Sequence, residues 1–185
     1  MLVHKPPYFS FFAAVLLGAV AGVTNLLPIF FLDSSEFLLG QFFVILSLLL
    51  FGWRFALITF VISTGFIFYR WGHAWPSVVF ALELIFLHVF CLSKARPVFL
   101  RGMIFWFIVG LPLLWSFGHF TLGLPILTIA IALAKYSLNA AIYLSVIDLL
   151  SFFFSRYSWY KCYSSLYKIL NYIVTLLIIL VVILT

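Results

Sequence analysis

The sequence predicts an all-α, polytopic transmembrane helix bundle of about seven spans, with the N-terminus cytoplasmic and the C-terminus extracytoplasmic. Three observations carry this. Of 185 residues, 67% are hydrophobic and 8% are charged, a balance that leaves too few polar side chains to cover a soluble domain. Apolar runs of roughly 17 residues or more recur, and each can cross a hydrocarbon core roughly 30 Å thick. The runs are continuous, whereas the strands of a membrane barrel would alternate apolar and polar residues. In lipid only helices and closed barrels satisfy their own backbone.

The first segment covers about 9–31 and contains Gly18, Gly22 and Pro28, so its outer end is expected to bend. The polar stretch LDSSE (32–36) follows, and Ser34 or Ser35 is positioned to N-cap a second helix over about 36–51. GWR (52–54) is a very short turn into a third helix over about 54–70. The turn RWGHAWP leads to a fourth helix over about 76–92. SKARPVFLR (93–101) is the most basic loop, before a fifth helix over about 102–118. GHFTLGLP (118–125) is uncharged and opens a sixth helix over about 125–153. Residues 1–153 thus form a six-helix membrane bundle, 154–168 a cytoplasmic linker, and 169–185 a seventh transmembrane helix.

Charge orients these segments. With the N-terminus inside, the inner side receives Lys5, Arg54, Lys94, Arg96, Arg101, Arg156, Lys161 and Lys168, and the outer side only Arg70. That asymmetry is the positive-inside pattern. The net charge of +6 is spread over short loops with no basic face, which argues against a nucleic-acid partner. Trp71, Trp75 and Trp115 fall where an outer aromatic belt belongs, and Trp53 and Trp159 where an inner one does. Cys91 and Cys162 have no paired spacing and lie near cytoplasmic helix ends, which reads as free thiols or palmitoylation sites and not a disulfide. The first hydrophobic run lacks a small-residue cleavage site and reads as a retained helix. The chain stops at LLIILVVILT without a polar flank, so it is expected to continue into a longer protein. Small residues Gly18, Ala21 and Gly22, and Ala130, Ala134, Ala140 and Ala141, are expected to permit close helix packing.

The chemistry-bearing candidates are few. An ionisable group at a helix centre costs roughly 2.5–3.5 kcal/mol on insertion scales, yet Glu83 and Lys135 both lie inside predicted spans. Glu83 is about seven residues into the fourth helix, roughly 10 Å at 1.5 Å per residue. If the sixth helix begins at Pro125, Lys135 is about ten residues in, roughly 15 Å. A Glu83–Lys135 pair facing the interior follows. A start at Thr121 would instead place Lys135 deeper and favour Arg70 as the partner of Glu83. Asn139 shares the helical face of Lys135, with Tyr136 and Tyr143 flanking it. Asp148, near Arg156, reads as an interfacial group. The pair has two readings, a ligand- or proton-responsive site and a structural pair fixing helix register. His73, in the outer turn, is either a pH sensor or a simple interfacial hydrogen bonder. There is no HExxH, no Cys/His cluster and no phosphate loop, so the chain is expected to hold no metal and no cofactor. Ser137 follows Lys135 by two residues and points away from it, so no catalytic group is assigned and the segment is expected to be non-enzymatic.

Several stretches, in order, resemble a known architecture: SLLLFGWRFALITFVIST, WGHAWPSVVFALELIF, FWFIVGLPLLW and LAKYSLNAAIYLSVIDLL. They are similar to the membrane-integral N-terminal sensor regions of bacterial signalling proteins, broadly of MASE-type and LytS-type, which precede histidine kinase, PAS or diguanylate cyclase modules. The resemblance covers about residues 15–150 and rests on the WGH turn, the following glutamate, and a lysine with an asparagine four residues later. In this chain proline is delayed to Pro76, and Tyr143 stands where a second asparagine is expected. The resemblance implies a seventh helix leading to an extracytoplasmic domain, cytoplasmic output, and homodimerisation through output domains.

The expected function is therefore a sensory input module of the bacterial cytoplasmic (inner) membrane. Arg70, His73, Glu83, Lys135 and Asn139 would line a polar patch that takes a small ligand or reports membrane state. The lipid bilayer is the other expected partner. The alternatives are a transporter or substrate-binding membrane subunit of an uptake system, and a purely structural anchor.

Overall fold

The computed structural model describes residues 7–27, 30–31, 35–73, 75–90 and 97–154. The expected linker beyond residue 154, the seventh helix, both cysteines and Arg156 lie outside these residues. The described chain is helical apart from one two-residue antiparallel pair, and it divides into two compact units, Met1–Leu84 and Ile85–Thr185. Among the described residues, three helices are long and apolar enough to cross a membrane: Tyr8–Leu26, Val98–Thr121 and Ile126–Ser151.

The first unit is built on α1 (Pro7–Leu26), α2 (Gly40–Phe51) and α3 (Trp53–Trp71). Its contacts fix the direction of each helix. A β-carbon on Gly18 would strike Ile62, and one on Gly22 would overlap the Phe66 ring. The numbers rise together, so α1 and α3 run parallel, and the expectation that glycines bring these helices close is met. Helix α2 runs the other way. Its first residue meets Asn25 near the end of α1, while Ser47 Oγ lies 3.0 Å from Thr59 Oγ1, which is also 3.0 Å from the Ala14 carbonyl.

Helix α1 ends at Leu26, short of the expected 31. Helix α2 starts at Gly40, four residues later than expected, because Ser35–Glu36 pairs with Phe30–Phe31 (β2 and β1) in an antiparallel ladder. Ser35 does not occupy the N-cap of α2, and Ser34 lies outside the described residues. Leu39 occupies the N-cap position and offers no side-chain bond. The Gly40 N–H is instead taken by Asn25 Oδ1 at 2.8 Å, and Asn25 Nδ2 donates to Ser63 Oγ at 3.1 Å. One amide thus ties all three helices. One residue, Gly52, separates α2 from α3, its N–H closing α2 on Leu48 and its carbonyl opening α3 to Ala56. Gly72, at φ +67°, ends α3 in the left-handed conformation that glycine adopts without cost. Helix α4 (Trp75–Phe90) follows.

The second unit is an antiparallel hairpin. A helical run from Val98 to Thr121 comprises α5 (Val98–Phe105), a π turn (Trp106–Gly110), α6 (Leu111–Ser116) and a second π turn (Phe117–Thr121). It packs on α7 (Ile126–Phe154). Gly102 lies against Leu144, and Gly118 against Ile129. The run starts four residues earlier than expected because Pro97, extended at ψ 151°, ends the loop and the next residue is already helical. Consequently Arg101 is a buried helical residue and not part of a basic loop. Ala140 is fully buried on α7, whereas Ala130 and Ala134 are exposed.

A shared device recurs in both units. A helix end leaves backbone groups without intrahelical partners, and in lipid each such group costs several kcal/mol. Four ends here are capped by side chains from another helix. Asn25 caps the start of α2, and Arg70 Nη1 donates to the Leu26 carbonyl at the end of α1. Arg101 Nη1 donates to the Phe90 carbonyl at the end of α4 at 2.9 Å. The Asp148 carboxylate accepts from the Val98 and Phe99 N–H groups at 3.0 and 2.9 Å. Asp148 is therefore a helix cap, and its charge also suits the positive end of α5.

Candidate functional site

The buried polar groups fall into two sets, one in each unit. In the first, Glu83 stands on α4 with 0% of its surface exposed. Gln41, in the first turn of α2, is 3% exposed. Its Nε2 donates to Glu83 Oε2 at 3.1 Å and to the Phe80 carbonyl at 3.2 Å. Phe80 and Glu83 are three residues apart and share one face of α4, so a single amide grips the helix at two points. Gln41 follows Gly40 directly. The start of α2 is thus held on one side by Asn25 and on the other by Glu83.

In the second unit, Lys135, Asn139 and Tyr143 are spaced by four residues along α7, and Tyr136 follows the lysine. Lys135 is 9% exposed and Asn139 is 1% exposed. The Lys135 Nζ lies 4.5 Å from the centroid of the Tyr136 ring, a cation–π geometry. On its other flank Tyr136 stacks with Trp106, with centroids 6.1 Å apart and planes inclined by 14°. The Trp106 Nε1 donates to the Tyr143 hydroxyl at 2.9 Å. The indole lies over Gly110, where a β-carbon would meet it. Among the described residues these groups form a continuous chain from ammonium to phenol to indole to phenol.

Helix α7 starts at Ile126, and the Pro125 carbonyl accepts from the Ile129 N–H. The expected start at Pro125 holds, and the alternative at Thr121 does not. Ser137 Oγ donates to the Leu133 carbonyl at 2.8 Å, on its own helix. The expected pair of Glu83 and Lys135 joins a residue of the first unit to one of the second, and each is described within its own unit. Arg70 is half-buried and caps α1. His73 is exposed just past the end of α3, its ring 6.0 Å from that of Trp71.

Reading the sequence overlooked Asn25, Gln41, Trp106 and the capping role of Asp148. The available signal was a lone amide in each of two otherwise apolar helices. Comparison of the chain with protein-family models, curated proteins and solved structures finds no match.

Proposed function

We propose that this chain is a membrane-integral input module of a bacterial signal-transduction protein, lying in the cytoplasmic membrane with about seven spans. It responds to a small ligand, protons or membrane state through polar groups held inside its helices. The observation that carries this reading is Glu83, a carboxylate with no exposed surface on an apolar helix, gripped by Gln41. A charged side chain so placed is costly, and such groups mark functional sites by default. The carboxylate has two protonation states with different demands on the Gln41 amide, so it is a natural point at which a proton or ligand biases one arrangement over another. Lys135 and Asn139, buried along α7, are the second group of responsive polar atoms. The resemblance of the ordered stretches to bacterial sensor regions is in keeping with this reading.

The test compares host cells carrying the wild-type gene, a Glu83→Gln gene and a deletion, with protein levels matched by immunoblot. An input module is expected to shift the transcript profile in the deletion, with Glu83→Gln locking a profile distinct from wild type. Profiles identical in all three strains would reject the reading. Loss of solute uptake with an unchanged transcript profile would favour the transport alternative.

A further inference from the structure

The helical run from Val98 to Thr121 differs sharply on the two sides of its first π turn. Before the turn, and at Trp106, its buried first residue, it is fixed to α7. Asp148 holds the N–H groups of Val98 and Phe99, Gly102 lies against Leu144, and Trp106 is bonded to Tyr143 and stacked on Tyr136. After the turn, none of the six residues Leu111–Ser116 is buried. Leu111–Ser116 nonetheless still packs along α7, and Gly118 lies against Ile129.

The turn itself is built to be soft. The Leu111 N–H reaches back five residues to the Trp106 carbonyl, so the ring of backbone atoms is wider than in an α-helix. Pro112, the next residue, has no N–H to give, and in α geometry its ring would collide with the Ile108 carbonyl. Ser116 Oγ donates to the Pro112 carbonyl at 2.8 Å, a back-bond that bends helices. Phe107 and Ile108, on the outside of the turn, are 63% and 70% exposed, so little packing resists their movement. The far end has a second wide turn, where the Leu122 N–H bonds to the Phe117 carbonyl, and then Gly123 at φ +59°. Sharp bends in helices arise at prolines and π turns, and here both fall within seven residues of each other.

We propose that the Trp106–Gly110 turn is a hinge, on which the Leu111–Thr121 arm changes its angle to α7 while Val98–Phe105 stays clamped. The first residue of the turn, Trp106, joins the aromatic chain on α7 that ends at Lys135, and the arm carries the stacked pair of Trp115 and His119 toward its far end. The hinge goes beyond the sensing reading and does not depend on it, since it concerns only how one helix moves on its neighbour.

The test uses the full chain in lipid nanodiscs, with Cys91 and Cys162 replaced by serine. Spin labels are placed at Leu100→Cys and Phe120→Cys, and a reference pair of equal sequence separation at Ala130→Cys and Leu150→Cys on α7, which has no π turn. At 1.5 Å per residue both pairs span roughly 30 Å, within reach of pulsed dipolar measurement. The Leu100–Phe120 distance distribution is expected to be broader than the reference, or two-peaked. Deleting Ile108 together with Pro112→Ala closes the wide turn to α geometry without the proline collision and is expected to remove the excess width. A distribution no broader than the reference overturns the hinge, and so does excess width that survives the deletion. If the deletion variant does not fold, Pro112→Ala alone, which restores the missing N–H, is judged by the same two outcomes.

Discussion

Asn25 holds three helices through one small amide. Its oxygen caps α2 and its nitrogen meets Ser63 on α3, while its own backbone belongs to α1. Asn25→Ala strands a buried N–H at Gly40 and is expected to lower unfolding free energy by about 1–3 kcal/mol, the cost of an unsatisfied buried donor. Ser63→Ala removes only one of the two bonds, and about 1 kcal/mol is expected. Denaturant titration in detergent measures both, and a milder loss for Asn25→Ala than for Ser63→Ala would contradict the capping role. The ionisable residues were legible in the sequence, because Glu83 and Lys135 stand out in apolar runs and the cost of a charge in lipid directs each toward protein. Asn25, Gln41 and Asp148 were not legible in their roles. A helix end's need for a partner is local, but the residue that meets it is set by how distant helices pack, and Asp148 serves α5 from 50 residues away.

At the scale of elements, the join between α2 and α3 is the sharpest feature of the first unit. Gly52 has φ +88° and ψ −179°, a region that side chains with a β-carbon do not enter readily. A β-carbon there would meet no atom within 4 Å, so the cost of substitution lies in the backbone and not in a clash. Gly52→Ala is expected to destabilise by about 1–3 kcal/mol. Gly65, in the middle of α3, also has open space around its β-carbon position but ordinary helical geometry. Gly65→Ala is expected to be stabilising by up to about 1 kcal/mol, from helix propensity. Opposite signs for two Gly→Ala changes 13 residues apart, read by thermal unfolding, would separate backbone conformation from packing; equal signs would contradict it. The GWR turn and the positions of α3, α4 and α7 were readable from apolar runs and turn residues. The late start of α2 was not, since LDSSE looks like a helix cap and only the pairing of Phe30–Phe31 with Ser35–Glu36 takes it out of the helix. The π turns were also hidden, because one extra residue per turn leaves an all-apolar sequence looking the same.

If the whole molecule spans the membrane as proposed, helices of unequal length must cross one bilayer. Helix α2 has 12 residues, roughly 18 Å, against a hydrocarbon core of roughly 30 Å. Irregular backbone is tolerated at membrane depth only where protein covers it. Phe37 and Leu38, immediately before α2, are 6% and 2% exposed, so the chain entering α2 is covered and can extend its path. The parallel course of α1 and α3, with α2 opposed, then fits three successive crossings in the first unit. The antiparallel pairing of Val98–Thr121 with α7 fits two more in the second. With the basic residues weighted to one side, the proposed topology is expected to put Gly52 and Arg96 in the cytoplasm and Gly72 and Gly123 outside. Alkaline phosphatase fused after Gly72 or Gly123 is expected to be active, and a fluorescent protein fused after Gly52 or Arg96 to be bright. The Gly52 fusion is decisive. If α2 dipped into the membrane and returned without crossing, the phosphatase would be active there too, because the α2–α3 join would stay on the outer side. Arg54, two residues past the join, would then be an outer cation, and the charge asymmetry that orients the chain would lose one of its members.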